Sequence, residues 1–591
     1  MNSKLKISAV ILLALLQVRC SKKLEEHPYT VFTPSFFQTA SGLQSAVNTL
    51  YSGMRFNYGP EPALAITVMG TDEFTGGDQV LASTGGQYVR SFALYGGTTP
   101  ISPSDGSLLN QWNSNFSFIN LANAVVGYAP AVSMDSATKL NIVAQARFLR
   151  GLYYLLLVEQ FGAVPTDLGS GDLVFNQAAF QGFNRLPVAT VLAKDYTAMI
   201  ADFTYASLNL PNQRPANAFY LSKAVAFAML AKTYLFRGYS SIAQTGDFQN
   251  AYTAATQVIN NQSLYGIALQ QDYGQVTAQG NDYNSEILFS IERLPNDLND
   301  NETPVSTNTS GAGNNASIDF APNYTDVTNA VAPGSHREAI YGRPYRRFCP
   351  TAWLLNTAFA DKFNDSRFEN SFRMMWYTVT GGNGGTINYG DTAFLLGETQ
   401  QQADSMNAIP KSYPVVPPSE FWTFQNNNSQ DIYPYLKKFA DSLKGNYNDV
   451  VSGRPYPVIK LSEVYLLAAE AAMQNGDAAT ATTLINVVRT RAAYRANLAP
   501  SDLAARIAAM QINSSQVTLD FILDERTREL CGEGMRWPDL AMRGKLLSRV
   551  QADNPDAGPN IQAFDVLRPI PQSELNALTD PNTAQYQNPG Y

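Results

Sequence analysis

Nucleophilic catalysis by a hydroxyl or thiol needs a base to take its proton, most often an imidazole. The 591-residue sequence offers two histidines, His27 and His336, and three cysteines, Cys20, Cys349 and Cys531. His336 stands 13 residues before Cys349, but neither lies in the context of a known nucleophile. A Cys349–Cys531 disulfide has no support in the spacing, and two small buried hydrophobes are the favoured reading. Oxygen-ligated Ca²⁺ chemistry has one partial match. In "DLNDNETPVSTN", Asp297, Asn299 and Asn301 take the first three ligand positions of an EF-hand. Glu302 then stands where Gly is needed and Asn308 where Glu is needed, so the loop fails as an EF-hand. A loosely bound Ca²⁺ there, or around Asp72, Glu73 and Asp78, stays open beside the favoured reading of solvated loop acids. Paired carboxylates for glycoside hydrolysis are a matter of spatial separation. Among 49 acids no two stand out. There is no P-loop and no strand–GxGxxG–helix unit.

One segment gathers charge. "ERTRELCGEGMRWPDLAMRGK", residues 525–545, holds nine charged residues of twenty-one in a chain that is 15% charged. It reads as a helix ending near Gly532 and Gly534, then a second helix with Pro538 in its first turn. Glu525–Arg528 and Arg536–Asp539 lie three apart and Asp539–Arg543 four apart, spacings that pair opposite charges on helices. Trp537 is expected to fill the corner. No group there is evidently poised to titrate near neutrality, as acid–base work requires. The segment is therefore expected to be a structural clasp, with no catalytic residue.

Helices must carry such a clasp. "KLNIVAQARFLRGLYYLLLVEQFG" sets Ile142, Ala146, Leu149, Tyr153 and Leu156 on one helical face, with Arg147 and Arg150 on a flank. Two stretches beginning at Leu221-Ser222 and Leu461-Ser462 share a grammar: an Ala-rich helix, a stop, and a restart at Gly246-Asp247 or Gly476-Asp477. The glycines suit helix ends and the aspartates suit caps. Ala251 and Ala481 permit close helix approach. These are expected to be tetratricopeptide-like hairpins. Between helices run long polar loops, at 70–107, 296–335, 380–392 and 403–431. Loops of that length in a folded chain are usually functional or disordered.

"MNSKLKISAVILLALLQVRC" has Lys4 and Lys6, an apolar run from Ile7 to Val18, and Cys20. The run is shorter than the about 20 residues needed to span a bilayer. It has the grammar of a secretory signal ending at a lipid-anchored cysteine, with Arg19 as an atypical neighbour. A net charge of −8 and the lack of a basic stripe exclude a nucleic-acid partner.

The order of several pieces resembles the SusD/RagB family of outer-membrane nutrient-binding lipoproteins. They are Cys20 with Leu24, Glu25, Glu26 and Pro28; "SGLQSAVNTLYSGM"; Trp112 with "INLAN"; "ARFLRGLYY" with "FGAVP"; "PVIKLSEVYLLAAEA"; "INVVRTRA"; "ILDERTREL" through "GKL"; and the terminal "QNPGY". The resemblance implies a mainly α fold, with tetratricopeptide-like helical hairpins forming one side of a single large unit with long irregular loops. It implies a signal peptide at 1–19, a lipid-anchored tether at 20–34, an N-terminal region at 35–270 and a C-terminal region at 271–591. It further implies an outer-membrane, surface-exposed protein, anchored by lipid at Cys20, that binds a glycan without turnover. Such a protein would deliver its ligand to a SusC-like TonB-dependent transporter, with no cofactor. Peptide capture, and less favoured a glycosidase-like enzyme, are the alternatives.

Sugars stack their C–H faces on aromatic rings and bond amides and acids through their hydroxyls. The loop aromatics Tyr88, Trp353, Trp376, Tyr377, Tyr389 and Trp422, with Asn383, Asn388 and Asp391, are the candidate ligand residues. For each, ordinary packing is the competing reading. Trp112 and Trp537 are assigned to packing.

Overall fold

The computed structural model describes residues 34–81, 87–97, 100–169, 188–216, 219–293, 312–325, 340–378, 390–421, 430–445, 448–578 and 583–591. Cys20, His27, His336 and the Asp297–Asn301 pattern lie outside them. The principal helices are α1 (Ala40–Gly53), α2 (Glu61–Val68), α3 (Gly106–Tyr128), α4 (Ser136–Phe161), α5 (Val188–Asn209), α6 (Lys223–Tyr239) and α7 (Asp247–Asn260). In the C-terminal half come α8 (Leu461–Gln474), α9 (Ala478–Ala492), α10 (Leu519–Leu530), α11 (Arg536–Met542) and α12 (Leu546–Asp553).

Local chemistry sets the boundaries. Asp105 caps α3 by accepting the Ser107 and Leu108 N–H groups, Asp135 caps α4 through Thr138, and Thr518 caps α10 through Phe521. α4 stops at Gly162, whose φ of 72° suits a residue without Cβ.

Helices α1, α3, α4, α5, α6, α7, α8 and α9 pack one on the next in that order, forming a continuous helical layer. The two hairpins expected from sequence are α6–α7 and α8–α9, and they adjoin across α7 and α8. Residues 270–460 thus leave the layer and return to it. Ala231, Ala251, Ala471 and Ala481 are all fully buried where the helices approach. The expected caps differ between the hairpins. Asp477 caps α9 by accepting the Thr480 N–H. In the other hairpin Gly246, at φ 93°, takes the cap position, and Asp247 turns its carboxylate onto Arg237. An ion pair has displaced the cap.

Among the described residues the strands are all short. β1 (Phe74–Gly76) pairs with β3 (Phe348–Pro350), and β2 (Ile287–Ile291) pairs with β7 (Tyr456–Lys460), both antiparallel. β4 (Met375–Tyr377) pairs antiparallel with β5 (Thr392–Leu396), which pairs parallel with β6 (Val415–Val416). The main apolar core runs unbroken from Phe37 to Tyr586 and draws on both the layer and the excursion. The fold is mainly α, as the sequence leads one to expect. Among the described residues no helix is long and apolar enough to cross a membrane.

Candidate functional site

The charged segment 525–545 is buried. Asp539 accepts from Arg526 at 2.7 and 3.0 Å and from Arg543 at 2.9 Å. Arg526 also reaches Glu463, at 3.1 Å, and Arg543 grips Glu470 through two bonds of 2.5 and 2.8 Å. α10 and α11 are thereby tied to α8. Glu525 collects Arg367, Arg489 and Arg528, and Glu529 collects Arg367 and Arg491. Glu533 receives Lys438 and Lys460 at 2.9 and 2.7 Å. Charges survive burial only when each finds its partner, and here the surrounding cations hold Asp539 and Glu525 well below the usual carboxylate range.

Two of the expected local pairs form, Glu525–Arg528 and Asp539–Arg543. Arg536 instead spans the chain to Asp72, at 2.7 and 2.5 Å. Trp537 fills the corner as expected, fully buried beneath the Arg568 guanidinium at 4.1 Å. The segment is a clasp, and it joins more than the two helices foreseen. The same contacts decide the acids weighed for Ca²⁺: Asp72 and Glu73 face Arg536, and Asp78 faces Arg346 at 3.0 Å. Among the described residues no group of three or more His, Cys, Asp or Glu side chains converges as a metal site. Cys349 and Cys531 are both buried free thiols, so the open question of their pairing is answered.

Within 525–545 the acids Glu525, Glu529, Glu533 and Asp539 are all held below the usual carboxylate range by their cations, in line with the expectation that none is poised near neutrality. Carboxyls pushed to near neutrality lie outside the segment, and they were not legible in the sequence. Burial pushes Glu73 up to about 7 against the pull of Arg536 and the Gly532 N–H. Burial likewise pushes Asp195 up to about 7, although it accepts from Val164 N–H and the Thr166 hydroxyl. Both carboxyls are fully covered, so neither meets solvent or a ligand.

The aromatic candidates separate by burial. Trp376 and Tyr377 are neighbours on β4, and alternation along a strand sends them to opposite faces. Trp376 is inside, stacked on Phe394 at 4.5 Å, so its ring face is already occupied. Tyr377 is outside and 48% exposed. Trp353 is buried with the Arg536 and Arg549 guanidiniums over its ring, a packing role within the clasp. Tyr88 is 51% exposed, and its hydroxyl bonds the Glu61 carboxylate. Asp391 is half-buried immediately before β5, where its carbonyl accepts the Thr378 N–H at 2.8 Å. Asn383, Asn388, Tyr389 and Trp422 lie outside the described residues.

A stretch not singled out from sequence joins the two exposed tyrosines. In "IYGRPYRRF", residues 340–348, the Tyr345, Arg346 and Arg347 N–H groups donate to Ile318, Ala321 and Asp319 carbonyls, which pins the segment to the body. At one end the Tyr341 hydroxyl accepts the Tyr377 N–H at 2.8 Å, fixing β4 against it. At the other end Arg347 pairs with Glu61 at 2.8 Å, the acid that holds Tyr88. Between them the half-buried Tyr345 ring has the Arg343 and Arg347 guanidiniums over it, at 5.2 and 5.1 Å. Tyr88, Tyr345, Arg343 and Tyr377 thus form a held aromatic strip with a cationic donor. The two tyrosines and three arginines spaced around Pro344 were the available signal.

A cleft of about 470 Å³ lies elsewhere. α3 supplies Trp112 and Phe116, the turn after α4 supplies Val164, and the C-terminal segment supplies Ile570, Leu575 and Tyr586. Trp112 packs on Phe116 and Phe161 at 5.0 and 5.1 Å, in keeping with its packing assignment. The walls are mostly apolar, and the Trp112 indole N–H is taken by Glu574. Such a lining suits an alkyl or aryl group better than a polyhydroxylated chain.

Comparison with known proteins gives these features a context. The model of the SusD family matches residues 286–591, and a second, described as starch-binding and associating with the outer membrane, matches residues 72–235. SusD-like protein P2 of Formosa agariphila is 27% identical over the full length of both chains. SusD-like protein P25 of the same organism is 24% identical over 94% of this chain and 93% of its own. Among solved structures, a laminarin-binding SusD-like protein is 21% identical and covers 94% of this chain and 100% of its own, with a TM-score of 0.66. Surface glycan-binding protein A from Bacteroides thetaiotaomicron, in complex with laminarihexaose, is 18% identical over 93% and 99% of the two chains, with a TM-score of 0.63. With one helical layer and a family match extending over more than half of its length, the chain belongs to the SusD/RagB family.

Proposed function

We propose that the protein is a cell-surface glycan-binding lipoprotein of the outer membrane, which captures oligosaccharides or polysaccharides and passes them to a SusC-like TonB-dependent transporter for import. Family membership supports the class, and the second family description supports the outer-membrane setting. Relatives whose structures are named for binding laminarin or carrying laminarihexaose support a glycan as cargo. Cys20 is the proposed lipid anchor.

The observation that carries the assignment to a surface is the strip from Tyr88 through Tyr345 to Tyr377. The half-exposed Tyr88 and Tyr377 are both held to the 341–347 segment, Tyr88 through Glu61 and Arg347 and Tyr377 through Tyr341, and that segment carries the Arg343 guanidinium over Tyr345. Rings presented this way offer apolar faces to sugar C–H groups at little entropic cost, and the guanidinium offers donors to hydroxyls.

Isothermal calorimetry against matched panels of glycans and peptides tests the reading. A glycan is expected to bind, with Tyr377→Ala and Tyr88→Ala each weakening it by about 1 kcal/mol, roughly fivefold. Binding confined to peptides would replace the cargo, and release of shortened sugar by purified protein would replace the class.

A further inference from the structure

A second cleft shares no residue with the tyrosine strip. It has a volume of about 240 Å³ and is walled by one face of α1, the segment before α6 and the end of β2. Tyr220 and Phe219 make its aromatic wall, with ring centroids 4.6 Å apart. Tyr220 is 44% exposed, and it abuts Tyr51 edge-on at 5.6 Å. Tyr51 is immobilised: its hydroxyl donates to the Gln145 side chain at 2.8 Å and accepts the Leu221 N–H at 3.3 Å. The aromatic wall is therefore braced from behind, while the Tyr220 ring and hydroxyl remain outward.

Polar groups stand across from it. Asn48 accepts from Gln44 at 3.1 Å through its oxygen, which leaves the amide nitrogen as a donor. Ser52, one turn on along α1, adds an exposed hydroxyl. Arg55 is anchored at the base by donation to the Glu292 carbonyl at 3.1 Å. Arg55 and the Glu292 side chain bring opposite charges to the same cleft, so no net charge selects an ionic ligand. The cavity is smaller than the roughly 300–1,000 Å³ typical of drug-sized ligands, which suits one ring rather than a chain.

We propose that this cleft is a second carbohydrate subsite that takes a single neutral pyranose unit, stacked on Tyr220 with its hydroxyls on Asn48, Ser52 and Arg55. An extended polysaccharide held at the tyrosine strip would gain avidity wherever another of its units reaches this cleft, since a tethered second contact acts at high effective concentration. The inference rests on the reading of the protein as a glycan binder, but the two fail separately.

Saturation-transfer NMR with methyl β-D-glucopyranoside, methyl α-D-mannopyranoside and D-glucuronate as probes tests it on wild type and on Tyr220→Ala, Tyr220→Phe, Asn48→Ala and Tyr377→Ala. At least one neutral glycoside is expected to receive saturation that survives in Tyr377→Ala and Tyr220→Phe. That signal is expected to fall at least fivefold in Tyr220→Ala and to drop in Asn48→Ala. Transfer to no probe, transfer to glucuronate alone, or transfer unchanged in Tyr220→Ala would each overturn the subsite. Loss of the signal in Tyr377→Ala would also overturn it, by assigning that sugar to the strip. Failure of the glycan reading is seen instead in calorimetry, as oligosaccharide binding that is absent or indifferent to Tyr377→Ala.

Discussion

Replacing Asp539 with Ala strikes the clasp at the acid that joins Arg526 to Arg543. The carboxylate accepts three bonds of 2.7, 3.0 and 2.9 Å from Arg526 and Arg543, and it is 2% exposed. After truncation Arg526 keeps Glu463 and Arg543 keeps Glu470, but three charge-assisted bonds are lost and the buried Arg526 Nε–H is left without its acceptor. Breaking a buried pair by removing one partner costs about 3–5 kcal/mol. Asp539→Asn preserves shape and an acceptor while removing charge, so about 1–3 kcal/mol is expected. Against a typical total stability of about 5–15 kcal/mol the Ala variant is near the limit of folding, and Asn gives the measurable intermediate. Urea unfolding followed by far-UV circular dichroism reads the midpoint shift at constant slope, while calorimetry reads glycan affinity on the folded variant. Stability is expected to fall in the order wild type, Asn, Ala, with affinity of the Asn variant within twofold of wild type. A cost below about 1 kcal/mol for Ala, or an Asn variant of full stability that has lost its ligand, would refute the clasp and return this segment to the list of functional sites.

Other consequences follow from the same packing. Between pH 5 and 8 stability is expected to fall as pH rises. Glu73 has a folded pKa of about 7, against about 4.3 for an unfolded Glu, so the folded chain binds the extra proton across that window. Urea midpoints for Glu73→Gln should show a shallower decline, and an unchanged slope would discount the raised pKa. Trp376→Ala and Tyr377→Ala should part company although adjacent: the first costs about 3–5 kcal/mol of stability through loss of a buried ring, whereas the second leaves the urea midpoint nearly in place and weakens the glycan. Cys349 and Cys531, both buried, should resist maleimide in native protein and react in denaturant, as peptide mass mapping would show. Burial pushes the Cys531 thiol up to about 12, which further removes its thiolate.

The sequence made the helices legible because their determinants are local. The four–three spacing of Ile142 to Leu156, and the Gly-Asp restarts at 246 and 476, act within a few turns. The clasp was legible as composition but not as wiring. Arg536 lies three residues from Asp539 yet pairs with Asp72, because Arg526 and Arg543 already occupy Asp539. The same tertiary crowding sets the pKa of Glu73, which no local pattern reveals. At the candidate site, strand alternation alone would have separated buried Trp376 from exposed Tyr377, had the strand been placed. Tyr345 and Arg343 carry no periodic signal, and they gain their setting from contacts with the 318–321 turn. Family resemblance rested on the helical and clasp pieces, which build the scaffold, so it named the class and left the ligand surface open.

Amide hydrogen exchange, with and without the glycan that calorimetry selects, tests the division between holding and binding most directly. The account expects ligand-dependent protection at 87–90, 340–347 and 375–378 and none across 525–545. Protection centred on 525–545, with the tyrosine strip unchanged, would contradict it.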